Sequence, residues 1–342
     1  MKILITGGCG FVGSNIAIFL KKKLKRAKIF SLDNLVRKGS EVNAKRLKNF
    51  NIQNYKINIV DQNKINSLQK FNLLIDCCAE PAIATSKSDP DKVFNTNLVG
   101  TFNILKKCIK DKSNIIFLSS SRVYSIYHLR KIIKNNNLKK PITKIKTIDE
   151  NFFTSDASSL YGFTKQASEK LIREISYQSN LKYIINRFGV IAGPWQFGKQ
   201  DQGFVPLWVA RHFLKKRLNY IGFGGTGNQI RDILHIDDVC EIILMQIKKF
   251  KTINNQIFNI GGGYKSFISL KNLTLLCQKI TGNKTLIGRK TKTSIFDIPI
   301  YVSNNSKISK AYNWKPKNNV KNIVKDIYLW LYKNNKLWKY FK

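Results

Sequence analysis

The chain alternates short apolar runs with longer stretches whose apolar residues recur at helical spacing. The first run follows Lys2, and later runs that predict strands span 27–32, 55–60, 73–77, 114–118 and 182–188. Helical spacing begins near Phe11 and recurs over 93–105, 161–175 and 239–250. Strands that alternate with helices indicate a parallel sheet wound by crossover helices. We therefore expect an α/β protein.

The first predicted strand ends in a glycine-rich turn. Gly7, Gly10 and Gly13 are spaced as G-x-x-G-x-x-G, and a helix is predicted to begin near Phe11. Glycine lets backbone N–H groups approach a pyrophosphate, and the positive end of the helix dipole then points at it. A dinucleotide site in a doubly wound, Rossmann-type sheet is predicted, with a tight turn that binds nothing as the alternative.

The end of the second predicted strand favours NAD over NADP. Asp33 lies 20 residues beyond Gly13, where a carboxylate accepts hydrogen bonds from the adenosine ribose hydroxyls. The same carboxylate repels a 2′-phosphate. Arg37 and Lys38 follow closely, and these cations keep NADP as an alternative cofactor. Solvated surface charge is the usual role of such residues.

Two further places carry candidate chemistry. Ser120 stands among three serines after the apolar run 114–118, at the edge where such sheets bind ligands; a solvated serine loop is the alternative. Tyr161 and Lys165 are four residues apart and share one face of a helix. An ammonium at that distance stabilises a phenolate, which suits the tyrosine to general-base catalysis.

At 342 residues the chain has room for one large or two modest domains. We assign 1–189 and about 235–262 to a NAD-binding domain. Residues 190–234 and 263–342 are expected to form a smaller C-terminal lobe that binds substrate, because its first part is rich in glycine and aromatic residues. In it, Arg231 could grip a diphosphate, or it could pair with Asp232 and Asp238. The polar insertion 125–150 is predicted to be a loop or loose helix.

Charge is the main compositional anomaly. The formal net charge is +40, from 60 Lys and Arg against 20 Asp and Glu. Lysine supplies 49 of the 60 cations, whereas proteins that read phosphates and bases tend to use arginine forks. An AT-rich genome accounts for such a composition. We therefore expect no specific nucleic-acid partner and no membrane partner, with binding to RNA or an anionic membrane as the alternative.

The cysteines and histidines predict neither disulfides nor a metal site. The six cysteines form no C-x-x-C pair, and the three histidines have no metal-ligand spacing. Such thiols are typical of a reduced, cytoplasmic protein. The N-terminal apolar stretch is broken by glycines and followed by lysines, so neither secretion nor a membrane span is predicted.

Taken together, these positions resemble a known family. The pattern comprises Gly7, Gly10, Gly13, Asp33, Asp61, Asn97, Ser120, Tyr161, Lys165 and the run Arg231-Asp232-x-x-His235. It resembles the extended short-chain dehydrogenase/reductase family of NAD-dependent nucleotide-sugar epimerases and dehydratases, over essentially the full chain. The resemblance implies NAD as the cofactor and a nucleotide sugar as the substrate.

The resemblance also implies a role for each matching residue. Tyr161 matches the catalytic base, Lys165 the residue that holds the nicotinamide ribose, and Ser120 the hydroxyl that assists proton transfer. The implied cofactor contacts are Gly7, Gly10, Phe11, Val12, Gly13, Asp33, Asn34, Asp61, Gln62, Cys78, Ala79, Asn97, Tyr161 and Lys165, with Asp61 on the adenine. The implied substrate contacts are Thr85, Arg122, Gln202 and Arg231, with Arg231 on the phosphates.

Within the family, the runs 33–39, 201–203 and 224–232 are most similar to the CDP-paratose 2-epimerases. This implies an isomerase that acts by transient oxidation at C2 of a CDP-dideoxyhexose, in the synthesis of surface polysaccharide. A UDP-sugar 4-epimerase or a NAD(P)-dependent reductase is the alternative, and a non-catalytic RNA-binding protein is a more distant one. Dehydratases carry Thr-Asp-Glu where this chain has Ser120-Ser121-Arg122, so dehydration is not expected.

The resemblance further implies self-association. Family members commonly pair through two helices that match about 93–110 and 161–178 of this chain. A homodimer, or a homotetramer built from it, is therefore predicted.

Overall fold

In the computed structural model of the chain, the described residues are 1–133, 138, 145–156, 158–199 and 202–341, with 83 and 84 described by their backbone alone. The strands are β1 Lys2–Thr6, β2 Lys28–Leu32, β3 Gln53–Tyr55, β4 Leu73–Asp76, β5 Asn114–Ser120, β6 Tyr183–Phe188, β7 Val190–Ala192, β8 Leu218–Ile221, β9 Ile230–His235, β10 Gln256–Ile260, β11 Phe267–Ser269, β12 Ile287–Lys290 and β13 Ile300–Tyr301.

The helices are α1 Phe11–Lys23, α2 Ser40–Asn49, α3 Gln62–Ser67, α4 Ile83–Ser88, α5 Pro90–Phe94, α6 Gly100–Asp111, α7 Ile126–Lys131, α8 Leu160–Gln178, α9 Phe204–Phe213, α10 Ile236–Lys248, α11 Leu270–Thr281, α12 Ser306–Tyr312 and α13 Val320–Lys333. A π-helical turn, Asn95–Val99, joins α5 to α6. Among the described residues, no helix is both long and apolar enough to span a bilayer.

Seven parallel strands form the central sheet, in the order β10-β6-β5-β4-β1-β2-β3. This order reverses direction between β1 and β4, which is the switch point where doubly wound sheets bind ligands. Strands β4 and β6 are buried along their whole length, as expected of strands covered by helices on both faces. The predicted doubly wound α/β fold is confirmed.

The third strand differs from its prediction. The apolar run predicted a strand over 55–60, but only Gln53–Tyr55 pairs with β2. The chain turns immediately afterwards, where the Ile57 N–H donates to the Tyr55 carbonyl at 2.9 Å. The apolar residues that follow serve the core instead, since Ile59 is buried there.

The chain divides into two compact units. The first comprises 1–123, 159–187 and 239–258, and the second comprises 124–158, 188–238 and 259–342. The sequence had assigned 124–158 to the NAD-binding domain, and the structure places this segment in the second unit. Its contacts explain why: the Tyr124 hydroxyl donates to Asn259 at 2.7 Å, and the Ile148 N–H donates to the Val302 carbonyl at 2.9 Å. The second unit is therefore larger than the predicted lobe.

Each unit has its own apolar core. In the first unit, Leu4, Ile104 and Phe117 belong to a buried cluster between the sheet and its helices. In the second unit, Val209 and Ile327 belong to a cluster that joins α9, α11 and α13.

The predicted insertion 125–150 is helical in part, because 126–131 forms α7. Its residues 134–137 and 139–144 lie outside the described residues. Position 201 of the 201–203 motif also lies outside them.

Candidate active site

The glycine-rich turn between β1 and α1 packs closely against neighbouring backbone atoms. Gly7 has φ +59°, and a methyl group on Gly13 would lie 2.3 Å from the Gly7 carbonyl oxygen. The residue before α1 is Gly10, which has no side chain to cap the first N–H groups of the helix. Those groups are available to an anion, and they belong to the predicted cofactor residues Phe11, Val12 and Gly13. The turn therefore fits a dinucleotide pyrophosphate.

Asp33 lies directly beyond β2 and is tied to this turn. One carboxylate oxygen accepts from the Cys9 N–H at 3.0 Å, and the other accepts from the Leu35 N–H at 2.8 Å. Burial raises the pKa of Asp33, and these backbone hydrogen bonds oppose that rise. Because a carboxylate oxygen accepts more than one hydrogen bond, Asp33 can also receive ribose hydroxyls. The Asn34 side chain accepts from the Val36 N–H at 3.3 Å.

Asp61 and Gln62 have protein partners at the start of α3. The Asp61 carboxylate caps the helix by accepting from the Lys64 N–H at 3.1 Å, and it pairs with the Lys64 ammonium at 2.9 Å. These bonds lower the pKa of Asp61. The Gln62 side-chain amide oxygen accepts from the Lys106 ammonium. A cofactor at this position would share these groups with the two lysines. The adenine contact of Asp61 and the cofactor contact of Gln62 stay predictions.

Asn97 holds the loop that follows β4 against α8. Its side chain accepts from the Glu80 N–H at 2.7 Å and donates to the Glu80 carbonyl at 3.2 Å and to the Thr164 hydroxyl at 3.1 Å. Asn97 is completely buried, in the π-helical turn, a feature frequent at functional sites. These contacts hold the loop that carries the predicted cofactor residues Cys78 and Ala79, which precede Glu80. The cofactor contact of Asn97 itself stays a prediction.

Lys165 is buried on α8 and is held by neutral groups. Its ammonium donates to the Leu118 carbonyl at 3.0 Å and to the Cys78 carbonyl at 3.4 Å, and it lies 4.4 Å from the centre of the Phe117 ring. Among the described residues, no carboxylate lies within ion-pair distance of it. A buried ammonium held only by carbonyl dipoles keeps its positive charge available to a nearby anion.

Tyr161 and Ser120 lie on elements that pack together. Helix α8 begins just before Tyr161, where the Ser159 hydroxyl accepts from the Gly162 N–H at 3.1 Å. The helix packs against β5, which ends at Ser120, and against the short turn 121–123. The Ser120 hydroxyl accepts from the Arg122 N–H at 3.2 Å. The first unit thus brings the three predicted catalytic residues to one edge of the sheet.

The four predicted substrate residues divide between the two units. Thr85 and Arg122 belong to the first unit, and Gln202 and Arg231 to the second. The Thr85 hydroxyl donates to the Glu80 carboxylate at 3.4 Å. Gln202 exchanges backbone hydrogen bonds with Lys199.

Arg231 holds backbone carbonyls of its own unit. Its guanidinium donates to the carbonyls of Ile230 and Ile298, both at 2.7 Å. One carboxylate oxygen of Asp232 accepts from the N–H groups of Gly263 and Ser303. Asp238 accepts from the backbone at 317 and 318. A phosphate contact by Arg231 stays a prediction.

Sequence reasoning missed a buried charged pair whose carboxylate lies on the same helix as Lys165. Glu169, on α8, binds Arg187, on β6. Glu169 stands four residues after Lys165, and this spacing was a usable signal. Nothing in the sequence pointed to Arg187, because it is brought in from a different strand.

Comparisons with known proteins identify the family of the chain. Residues 3–261 match the profile of the NAD dependent epimerase/dehydratase family. A CDP-paratose 2-epimerase from Salmonella typhi is 29% identical over 338 residues, covering 96% of this chain and 99% of that protein. A UDP-glucose 4-epimerase from Mycoplasma genitalium is 24% identical, covering 95% of this chain and 94% of that protein.

The fold also matches a solved structure. UDP-glucuronic acid 4-epimerase from Bacillus cereus, in complex with UDP-glucuronic acid and NAD, has a TM-score of 0.83 at 23% identity and covers 97% of this chain and 99% of its own. NAD as the predicted cofactor is confirmed by the family. The match extends from β1 to the end of the central sheet, and this chain belongs to the NAD dependent epimerase/dehydratase family.

Proposed function

We propose that this protein epimerises a nucleotide sugar by transient oxidation of one carbinol to a ketone. The observation that carries the proposal is the buried ammonium of Lys165. This lysine lies on the helix of Tyr161, and the backbone carbonyls of Leu118 and Cys78 hold its ammonium. When bound, NAD supplies the acceptor, and later the donor, of the hydride that leaves the sugar carbon.

The residues of the chain handle the proton. Tyr161, as phenolate, takes the proton of the sugar hydroxyl, and the Lys165 charge stabilises that phenolate. The Ser120 hydroxyl binds the same sugar oxygen and holds it in line with Tyr161. After the ketosugar turns to present its other face, Tyr161 returns the proton to the oxygen. No net oxidation results, so the product is an epimer.

We further propose that the substrate is CDP-paratose and that C2 is inverted to give CDP-tyvelose. The similarity to the Salmonella typhi CDP-paratose 2-epimerase over almost the whole of both chains supports this choice. The Mycoplasma genitalium relative supports a UDP-sugar 4-epimerase as the second candidate. Dehydration has little support, because Ser121 and Arg122 follow Ser120 where that reaction needs a carboxylic acid and a carboxylate.

A panel of CDP- and UDP-sugars tests the assignment. The purified protein is incubated with each sugar without added cofactor, and the products are identified by NMR. We expect CDP-paratose alone to be converted, and a deuterium at C2 to be retained because the hydride returns to the same carbon. Turnover of UDP-glucose at C4 would establish the second candidate, and a requirement for added NADPH would establish a reductase.

The role of Tyr161 has a matched control on the same helix. Tyr161→Phe should abolish turnover and leave NAD bound, whereas Tyr177→Phe, at a side chain 91% exposed, should leave both unchanged. Full activity in Tyr161→Phe would overturn the mechanism.

We also propose that the protein pairs with a second copy through α5, α6 and α8. Phe94, Phe102, Ile109 and Phe163 on these helices are large apolar side chains with 40% to 51% of their surface exposed. Exposed apolar side chains grouped on neighbouring helices favour a protein partner. Phe102→Lys should shift the sedimentation coefficient from dimer to monomer, while Leu329→Lys, at a comparably exposed site on α13, should not. A wild-type monomer at micromolar concentration would refute the pairing.

A further inference from the structure

A buried ion pair lies one helical turn beyond the catalytic lysine. The Arg187 guanidinium donates to both oxygens of the Glu169 carboxylate, with Nε at 3.1 Å from each and Nη2 at 2.7 Å from one. Both side chains are buried. The Ser119 hydroxyl, next to Ser120 at the end of β5, donates to the same carboxylate. Glu169 is therefore held on both oxygens by groups from β5 and β6.

Glu169 is also a potential partner of Lys165. The two residues are four apart on α8, the spacing at which opposite charges pair on a helix. Instead, Lys165 donates to the carbonyls of Leu118 and Cys78. If Glu169 paired with Lys165, the positive charge at Tyr161 would be largely cancelled.

We propose that Arg187 is a positioning residue of the active site: by binding the Glu169 carboxylate it keeps that carboxylate from Lys165, whose ammonium then stays available to Tyr161. The inference rests on the proposed roles of Tyr161 and Lys165. Arg187 suits this task because its planar fork satisfies both carboxylate oxygens at once, which a lysine cannot do with the same geometry.

Other titratable groups lie near α8 and do not change among the variants considered below. Cys77 and Cys78 interact with the Lys165 charge, and burial raises the pKa of both thiols, so they stay neutral. The buried Asp76 carboxylate accepts from Thr6, Cys78 and Thr101. Further charged side chains on or beside the elements that pack against α8 are Glu80, Lys87, Asp91, Lys92, Lys106, Lys107, Lys110, Asp111 and Arg122, and α8 itself carries Lys170, Arg173 and Glu174.

The test follows the ultraviolet absorbance of tyrosinate against pH in the purified protein without sugar. The signal of Tyr161 is the part of this absorbance change that is lost in Tyr161→Phe. Arg187→Met should move this signal to higher pH by about one unit, because the freed carboxylate pairs with Lys165. The double variant Glu169→Gln/Arg187→Met should return the signal to its wild-type position. Arg187→Met should also lower kcat about tenfold with little change in KM, and the double variant should restore kcat.

Several outcomes decide the matter. An unchanged Tyr161 signal in folded Arg187→Met, or equal signals in the single and double variants, would overturn the proposal. If Arg187→Met does not fold, Glu169→Gln decides. It leaves the Arg187 guanidinium without its carboxylate, and this uncompensated positive charge should move the signal to lower pH. An unmoved signal would show that the charges of this pair do not reach Tyr161, and it would refute the inference. Glu174→Gln, at an exposed site on the same helix, should have no effect. Absence of any Tyr161 signal in the wild type would instead refute the proposed base.

Discussion

Two lysines of the first unit are equally buried and have opposite surroundings. Lys107 on α6 and Lys165 on α8 are each 1% exposed. The Lys107 ammonium donates to the Asp111 carboxylate at 2.7 Å and to the Leu68 carbonyl at 3.0 Å. The Lys165 ammonium donates to two carbonyls. One buried cation is neutralised by a carboxylate, whereas no carboxylate in the described part of the chain pairs with the other.

The difference shows which cation is available for chemistry. A buried ammonium bonded to a carboxylate forms a neutral pair whose attraction offsets the loss of hydration. A buried ammonium bonded only to carbonyls retains a net charge, which can stabilise a second anion such as a phenolate. Lys107 therefore serves the fold, and Lys165 is suited to serve Tyr161.

Replacement of the unneutralised lysine should have the largest effect. We expect Lys165→Met to lower kcat by about 10³-fold, within the range that a general acid–base group contributes. Stability should change little, because no buried carboxylate loses its partner. Steady-state kinetics and urea unfolding check both points, with the exposed Lys170→Met on the same helix as the control. Near-normal turnover in Lys165→Met would show that Lys165 does not contribute to catalysis.

Replacement of the neutralised lysine should affect stability instead. Lys107→Met leaves the Asp111 carboxylate buried without its cation, which should lower the free energy of unfolding by about 3 kcal/mol or more. The kcat of the folded protein should be unchanged. Addition of Asp111→Asn should recover part of the loss, and Lys110→Met, at an exposed position on α6, is the control. A large fall in kcat without loss of stability would show that the two lysines do not differ as described.

The aromatic rings beside the two lysines should give the smallest effects. The centre of the Phe117 ring lies 4.4 Å from the Lys165 ammonium, and the centre of the Phe71 ring lies 5.7 Å from the Lys107 ammonium. Phe117→Leu should lower kcat by about threefold to tenfold, since a desolvated cation–π contact contributes about 1 kcal/mol. Phe71→Leu should lower only the unfolding temperature. Equal kinetic effects of the two substitutions would contradict the comparison.

Much of the first unit could be predicted from the sequence because the signals there are local. The glycines after β1 are required by a positive φ at Gly7 and by the close approach of Gly13 to backbone. The alternation of strands and helices predicted the parallel sheet. The extent of β3 could not be read locally, because a strand ends where its neighbour stops pairing, and β2 offers partners only to 53–55.

Contacts between distant parts of the chain account for the remaining differences. The resemblance implies a cofactor contact for Asn97, which stays a prediction, and the structure adds that its amide binds Glu80 and Thr164. The segment 124–158 follows β5 directly, yet Tyr124 bonds to Asn259 in the second unit. None of these partners is near in sequence, so no local pattern identifies them.

By itself the sequence determined that Lys107 and Lys165 each lie on a helix with an acidic residue four positions later, Asp111 and Glu169. That spacing predicts the same ion pair twice. Only the tertiary structure decided that the first pair forms and the second does not. The physical reason is competition: strand β6 brings Arg187 to Glu169, and a guanidinium that binds both oxygens displaces an ammonium from the carboxylate.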